Sequence, residues 1–195
     1  MSASKSLLCL ATNNAHKVEE LQQMLGDRFE VKTMNEAGCY DDIEETGTTF
    51  EENSKLKAVY IFDKFGFDTI ADDSGLEVEA LNNEPGVYSA RYAGEHGNHR
   101  KNIEKLLANL QGKENRRARF RTVITFMSGG QTHTFEGVVN GRITEEQRGT
   151  GGFGYDPVFI PEGYGETFAE MPAETKNKIS HRGLAVQQLL AFIKK

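Results

Sequence analysis

Residues 6–25, SLLCLATNNAHKVEELQQML, decide the fold class. Leu7, Leu8, Cys9, Leu10 and Ala11 make an apolar run of strand length, and the reading predicts a buried strand over residues 6–11. Polar Thr12, Asn13 and Asn14 break it. Val18, Leu21 and Leu25 then recur at helical spacing and predict a helix over residues 15–25. A strand that feeds straight into an amphipathic helix is the opening of an α/β fold. The apolar run is too short for a secretion signal or a membrane span, so the expected setting is cytoplasmic, with no membrane partner.

Outward from this opening, a short strand near residues 29–33 leads through an acidic loop, Asp41, Asp42, Glu44 and Glu45, to a second helix. Thr49 and Glu52 have the spacing of a capping box, and Phe50, Ala58, Ile61 and Phe65 supply the buried stripe. Thr69, Ile70 and Ala71 read as a strand that ends at Asp72 and Asp73. Asn98 caps a helix carrying Ile103, Leu106, Leu107 and Leu110, closed by Gly112. Phe120, Ile124 and Phe126 alternate through a strand that turns at Ser128, Gly129 and Gly130 into another over residues 132–140. Gly149 to Gly165 reads mostly as loop, and Ser180 caps a last helix with Val186, Leu189, Leu190 and Ile193 inside. There is no repeat or linker, and 195 residues at 37% hydrophobic fill one domain, residues 1–195, that a cleft could divide into two lobes.

The formal charge of −6 disfavours a nucleic acid polymer as partner, since tracking a phosphate backbone calls for a basic surplus, but leaves a small anion possible. Cys9 and Cys39 form no short pair and read as reduced thiols. His16, His96, His99 and His133 lack metal-ligand spacing, and there is no P-loop. Gly149, Gly151 and Gly154 fit a G-x-G-x-x-G pattern, but Pro157 follows instead of a helix, so it fails as a dinucleotide fingerprint.

Asp72 and Asp73 at the end of an apolar strand read in two ways: an Asp-Ser-Gly turn, or a carboxylate pair of the kind magnesium takes beside phosphate and water. Lys17 in the first turn of one helix, and His181 and Arg182 in the first turn of another, oppose the helix dipole. Either they point into water, or an anion bound at those N-termini removes the conflict. Asn53 and Lys57 project from the second helix one turn apart. Phe153, Tyr155 and Asp156 sit in the glycine-rich loop, where an aromatic could stack on a base and a polar group read its edge, or where Phe153 could simply anchor the core.

Taken together, Thr12–Lys17, Glu44–Gly47, Glu52–Lys57, Ala71–Gly75, Pro85–Gly94, Gly151–Pro157 and Ser180–Gly183 resemble, in order and over essentially the whole chain, the inosine triphosphate pyrophosphatase family. Its members hydrolyse nonstandard purine triphosphates (ITP, dITP, XTP) to monophosphate and pyrophosphate. The resemblance implies a two-lobed α/β fold with a central mixed sheet flanked by helices and a substrate cleft between the lobes. It also implies a homodimer, Mg2+ as cofactor and a nucleotide as the small-molecule partner. By the same resemblance Thr12, Asn13, Asn14, Ala15, His16, Lys17 and Lys57 would hold the triphosphate, and Glu44 and Asp73 the magnesium. Asp73 would also accept the proton of the attacking water, with Ser74 touching substrate nearby. Phe153, Gly154, Tyr155, Asp156, Lys176, His181 and Arg182 would form the purine site. Asn13 stands where many members carry glycine, a departure that bears on the geometry of the phosphate loop. The nearer alternative is a phosphatase or pyrophosphatase for other modified nucleotides; a nucleotide-binding module without catalysis is the other, but it would have little need for Glu44 and Asp73 around a metal.

Overall fold

The structure, a computed structural model, describes residues 6–194. The fold is α/β, a mixed sheet with helices. Among the described residues the elements run β1 (Ser6–Leu10), α1 (Ala15–Leu25), β2 (Phe29–Thr33), α2 (Phe50–Phe65), β3 (Thr69–Val78), β4 (Glu84–Pro85) and α3 (His99–Asn109). They continue through β5 (Arg117–Ser128), β6 (Gln131–Ile143), β7 (Phe159–Pro161), α4 (Ala173–Ile179) and α5 (His181–Ile193). The strand order is β2-β1-β3-β5-β6-β7, with β4 on β3. β1 lies parallel to β2, Ser6 opposite Phe29, and parallel to β3, Cys9 opposite Thr69, while β3–β4 and β6–β7 are antiparallel.

The chain divides into two compact units, and β3, β5 and β6 contribute residues to both. In the first unit the pleat of β1 sorts its side chains into two cores. Leu8 and Leu10 pack with Leu21 and Leu25 of α1 and with Val186 and Leu189 of α5. Cys9 and Ala11, on the opposite face, pack with Ala58 and Ile61 of α2. Both faces are covered, which is why β1 is apolar throughout rather than alternating. Each helix start is fixed locally. Asn14 caps α1 by accepting from the amides of His16 and Lys17, and Thr49 and Glu52 complete a reciprocal capping box on α2. Cys9 and Cys39 are both buried and free.

In the second unit Leu76 and Val78 of β3, Ile103 and Leu106 of α3, and Phe120, Phe159 and Phe168 form the core. Phe120 meets Phe159 edge-on at 4.6 Å between ring centroids.

Three elements differ from the sequence-based expectation. β3 does not stop at the aspartates but runs on through Ser74 and Gly75 to Val78. Leu76 and Val78 are buried, β4 pairs with Glu77 and Val78, and the amide of Leu76 donates to the Ser89 hydroxyl at 2.9 Å. The stretch 149–165 contains the short strand β7, paired with residues 141–143 of β6. The seven-residue helix α4 precedes α5, and Ser180 serves both: its amide closes α4 on the Lys176 carbonyl, and its hydroxyl accepts from the Gly183 amide.

Candidate functional site

The first unit gathers an acidic and basic cluster around the middle of β3. Asp72 and Asp73 are consecutive on a strand and therefore point to opposite faces. Asp72 is fully buried and its Oδ2 lies 3.1 Å from Lys17 Nζ, so Lys17, in the first turn of α1, turns to a carboxylate rather than to water. Asp73 Oδ2 accepts a hydrogen bond from Asn53 Nδ2 at 3.0 Å. Lys57 sits one turn beyond Asn53 on α2, and its ammonium donates to Glu45 Oε1 at 2.5 Å and to the Asp72 carbonyl at 2.7 Å.

Burial is the largest influence on Asp73, which is 5% exposed, and it pushes the carboxyl pKa up. Lys57 and Lys17 pull it back, Glu45 adds to the rise, the Asn53 hydrogen bond opposes it, and the net result lies above the ordinary aspartate value of 3.8. For Lys57 burial works the other way and favours the neutral amine, but Glu45, Asp73 and Asp72 together outweigh it and hold the ammonium above its usual value. Glu45, Asp73 and Asp72 thus all act on Lys57, and Lys57 and Lys17 both act on Asp73. Glu44 is exposed, next to the Glu45 that pairs with Lys57.

The other residues of the phosphate segment lie at the start of α1. Thr12 Oγ1 accepts from the Asn14 amide at 3.2 Å, and Asn14 caps the helix. Thr12, Asn13 and Ala15 line a depression of about 280 Å³ with Val18, Glu19, Gln22, Thr33 and Asn35. Among the described residues only Asn82 and Asn83 take positive φ without being glycine, so Asn13 occupies a backbone conformation that does not call for glycine.

The second unit gathers the residues expected around the base. Asp156 and Lys176, 3% and 4% exposed, form an ion pair at 2.6 Å, and Asp156 Oδ2 also accepts from the Phe153 amide at 2.9 Å. Gly152, at φ +66°, packs its α-carbon so closely on the Asp156 carboxylate that a β-carbon would collide with Oδ2. Over the Phe153 ring lie two cations, Lys176 at 5.1 Å and Arg182 at 5.7 Å from its centroid. The Arg182 guanidinium donates to the Ser74 hydroxyl at 3.0 Å, and His181 stacks on Phe120 at 4.6 Å with planes 9° apart. The Tyr155 hydroxyl donates to the Ser89 carbonyl, to which the buried Asn102 amide also donates. The segment 85–94 thereby contacts the glycine-rich loop through Ser89 and Tyr155.

Glu45 and Asn53 were not singled out by sequence as site residues. Glu45 read only as part of an acidic loop. Asn53 read as one amide on a helix face, and its partners lie six and twenty residues away. Among the described residues no three His, Cys, Asp or Glu side chains converge as a ready-made metal cage, and no helix is long and apolar enough to cross a membrane.

The chain is similar to known proteins over nearly its whole length. A dITP/XTP pyrophosphatase of Flavobacterium johnsoniae is 51% identical over 186 residues, covering 95% of this chain and 97% of the relative. One of Bacillus subtilis is 48% identical over 184 residues, covering 92% and 93%. The structure of the Staphylococcus aureus Ham1 protein superposes with a TM-score of 0.88 at 43% identity, covering 97% of this chain and 98% of that one. The model of the Ham1 family matches residues 8–192, and the chain belongs to the Ham1 family.

Proposed function

We propose that the protein hydrolyses nonstandard purine nucleoside triphosphates, ITP, dITP and XTP, to the monophosphate and pyrophosphate, and so clears them from the nucleotide pool. The observation that carries the reading is the buried Asp73 carboxylate, raised above its ordinary pKa and flanked by the Lys57 and Lys17 ammonium groups. A carboxylate made more basic by its surroundings suits proton abstraction from water, and fixed cations suit a phosphoryl leaving group. Relatives that share about half of its residues carry the name dITP/XTP pyrophosphatase.

Asp73 takes the proton from the attacking water as water adds to the α-phosphorus and the bond to the bridging oxygen breaks. Lys57 stays protonated, and Lys17 and Lys57 hold the triphosphate with the start of α1 and offset charge on the departing pyrophosphate. Glu44 and Asp73 would hold magnesium, and the donor set fits: hard carboxylate oxygens beside phosphates, with Glu45 also acting on Asp73. When bound, Mg2+ would supply positive charge to the phosphate oxygens and the water.

At the other end of the substrate, Phe153, Gly154, Tyr155 and Asp156, with Lys176, His181 and Arg182, receive the purine, and Ser74 contacts substrate next to Asp73. Lysine and arginine only donate, which matches the O6 acceptor of hypoxanthine and xanthine and not the N6 donor of adenine. The working form is a cytoplasmic homodimer. Incubation of the protein with ITP, XTP, GTP, ATP and dTTP, with Mg2+ and then with EDTA, tests the reading. Pyrophosphate released from ITP and XTP only with Mg2+ supports it, whereas orthophosphate or no product from both refutes it.

A further inference from the structure

Asn53 is 1% exposed, and its amide is engaged at both ends. The Gly47 amide donates to Oδ1 at 2.8 Å, and Nδ2 donates to Asp73 Oδ2 at 3.0 Å. A backbone N–H can only donate, so the amide oxygen must face Gly47 and the NH2 must face Asp73, with no second orientation. One oxygen of the Asp73 carboxylate, Oδ2, is thereby held against Asn53, which restricts the rotation of the carboxylate. The Gly47 end is equally constrained, since a β-carbon there would stand 2.6 Å from Asn53 Oδ1 and 2.7 Å from Glu52 Cβ. Gly47 follows Glu44 and Glu45 in the acidic segment, so one side chain joins that segment to Asp73.

We propose that Asn53 is a positioning residue for Asp73: it sets the rotation of the carboxylate presented to the reactants and couples it to the segment carrying Glu44 and Glu45. The proposal rests on the role given to Asp73 above. It differs from a purely structural role for a buried amide, which would alter stability and leave turnover per folded molecule unchanged. Aspartate at position 53 keeps the shape but sets an acceptor against an acceptor. G47A keeps the Asn53 side chain but forces its amide to shift, since the added β-carbon would crowd Oδ1.

The test compares wild type with N53A, N53D and G47A, each assayed well below its unfolding temperature. Two quantities are read: kcat and KM for ITP with Mg2+, and the Kd of Mn2+ measured by electron paramagnetic resonance without nucleotide. Groups that orient a metal-binding carboxylate typically control metal affinity or activity by roughly 10- to 100-fold. N53A is therefore expected to lower kcat by about 10- to 100-fold with KM changed less than about threefold, and to raise the Mn2+ Kd about tenfold. N53D should lower kcat at least as much, whereas its added carboxylate makes its Mn2+ Kd no measure of positioning, and G47A should move both quantities in the direction of N53A by less. If N53A does not fold, N53D and G47A carry the comparison. Values of kcat and Kd within threefold of wild type in a folded variant overturn the proposal, as does a rise confined to KM, which would mark a substrate contact. Wild type inactive on every purine triphosphate would defeat the functional reading instead, and the Mn2+ Kd would still decide the role of Asn53.

Discussion

Replacing Asp73 with asparagine should move activity and stability in opposite directions. In the fold the ionised carboxylate is disfavoured relative to the unfolded chain, because burial outweighs Lys57, Lys17 and the Asn53 hydrogen bond. Asparagine has the same shape, its carbonyl oxygen can still accept from Asn53 Nδ2, and it carries no charge to bury. Relief of such a functional penalty commonly gives about 0.5–2 kcal/mol, or roughly 1–8 °C for a chain of this length. The sign also fixes the pH dependence. A folded pKa above the unfolded 3.8 means that the wild-type deficit is present above the folded pKa. It shrinks as pH falls through that value and vanishes once Asp73 is neutral in both states. Turnover should meanwhile fall about 100- to 10,000-fold, the range for loss of a general base, equivalent to about 3–5 kcal/mol of barrier. The assay pairs denaturant unfolding in EDTA, from neutral to acid pH, with pyrophosphate release from ITP. A variant less stable than wild type at neutral pH, or one that retains wild-type turnover, would refute the reasoning.

Lys57→Met should behave oppositely in stability, losing about 3–5 kcal/mol by urea unfolding, because Glu45 and the Asp72 carbonyl lose a buried cationic donor. Gly152→Ala combines a positive φ with a collision at the Asp156 carboxylate and should cost at least about 1 kcal/mol while raising KM for ITP. An unchanged KM there would detach the glycine-rich loop from base binding. Arg182→Ala should narrow the ratio of ITP to ATP kcat/KM by roughly 5- to 100-fold, the discrimination that a well-placed base contact supplies. An unchanged ratio would remove Arg182 from base selection.

What was legible in the sequence was local. The run from Leu7 to Ala11, the Asn14 cap, the Thr49–Glu52 capping box and the glycine turn between β5 and β6 are each written in a few adjacent residues, and each appears where the pattern points. Tertiary burial was not legible. Asp-Asp-Ser-Gly has the composition of a turn, yet Leu76 and Val78 draw it into a strand whose far end is held by β4 and Ser89. α4 spans two turns with no apolar stripe long enough to register. At the site, residue types could be named from sequence and resemblance, but the pairings could not. Lys17 with Asp72, Lys57 with Glu45 and Asp156 with Lys176 span 55, 12 and 20 residues, and only the fold brings them together.

The central claim is that water attacks the α-phosphorus and expels pyrophosphate. Hydrolysis of ITP by the wild-type protein with Mg2+ in water enriched in oxygen-18, with both products analysed by mass spectrometry, tests it most directly. The account predicts one labelled oxygen in inosine monophosphate and none in pyrophosphate. Label in pyrophosphate, or release of labelled orthophosphate, would place the attack on another phosphorus and contradict the account.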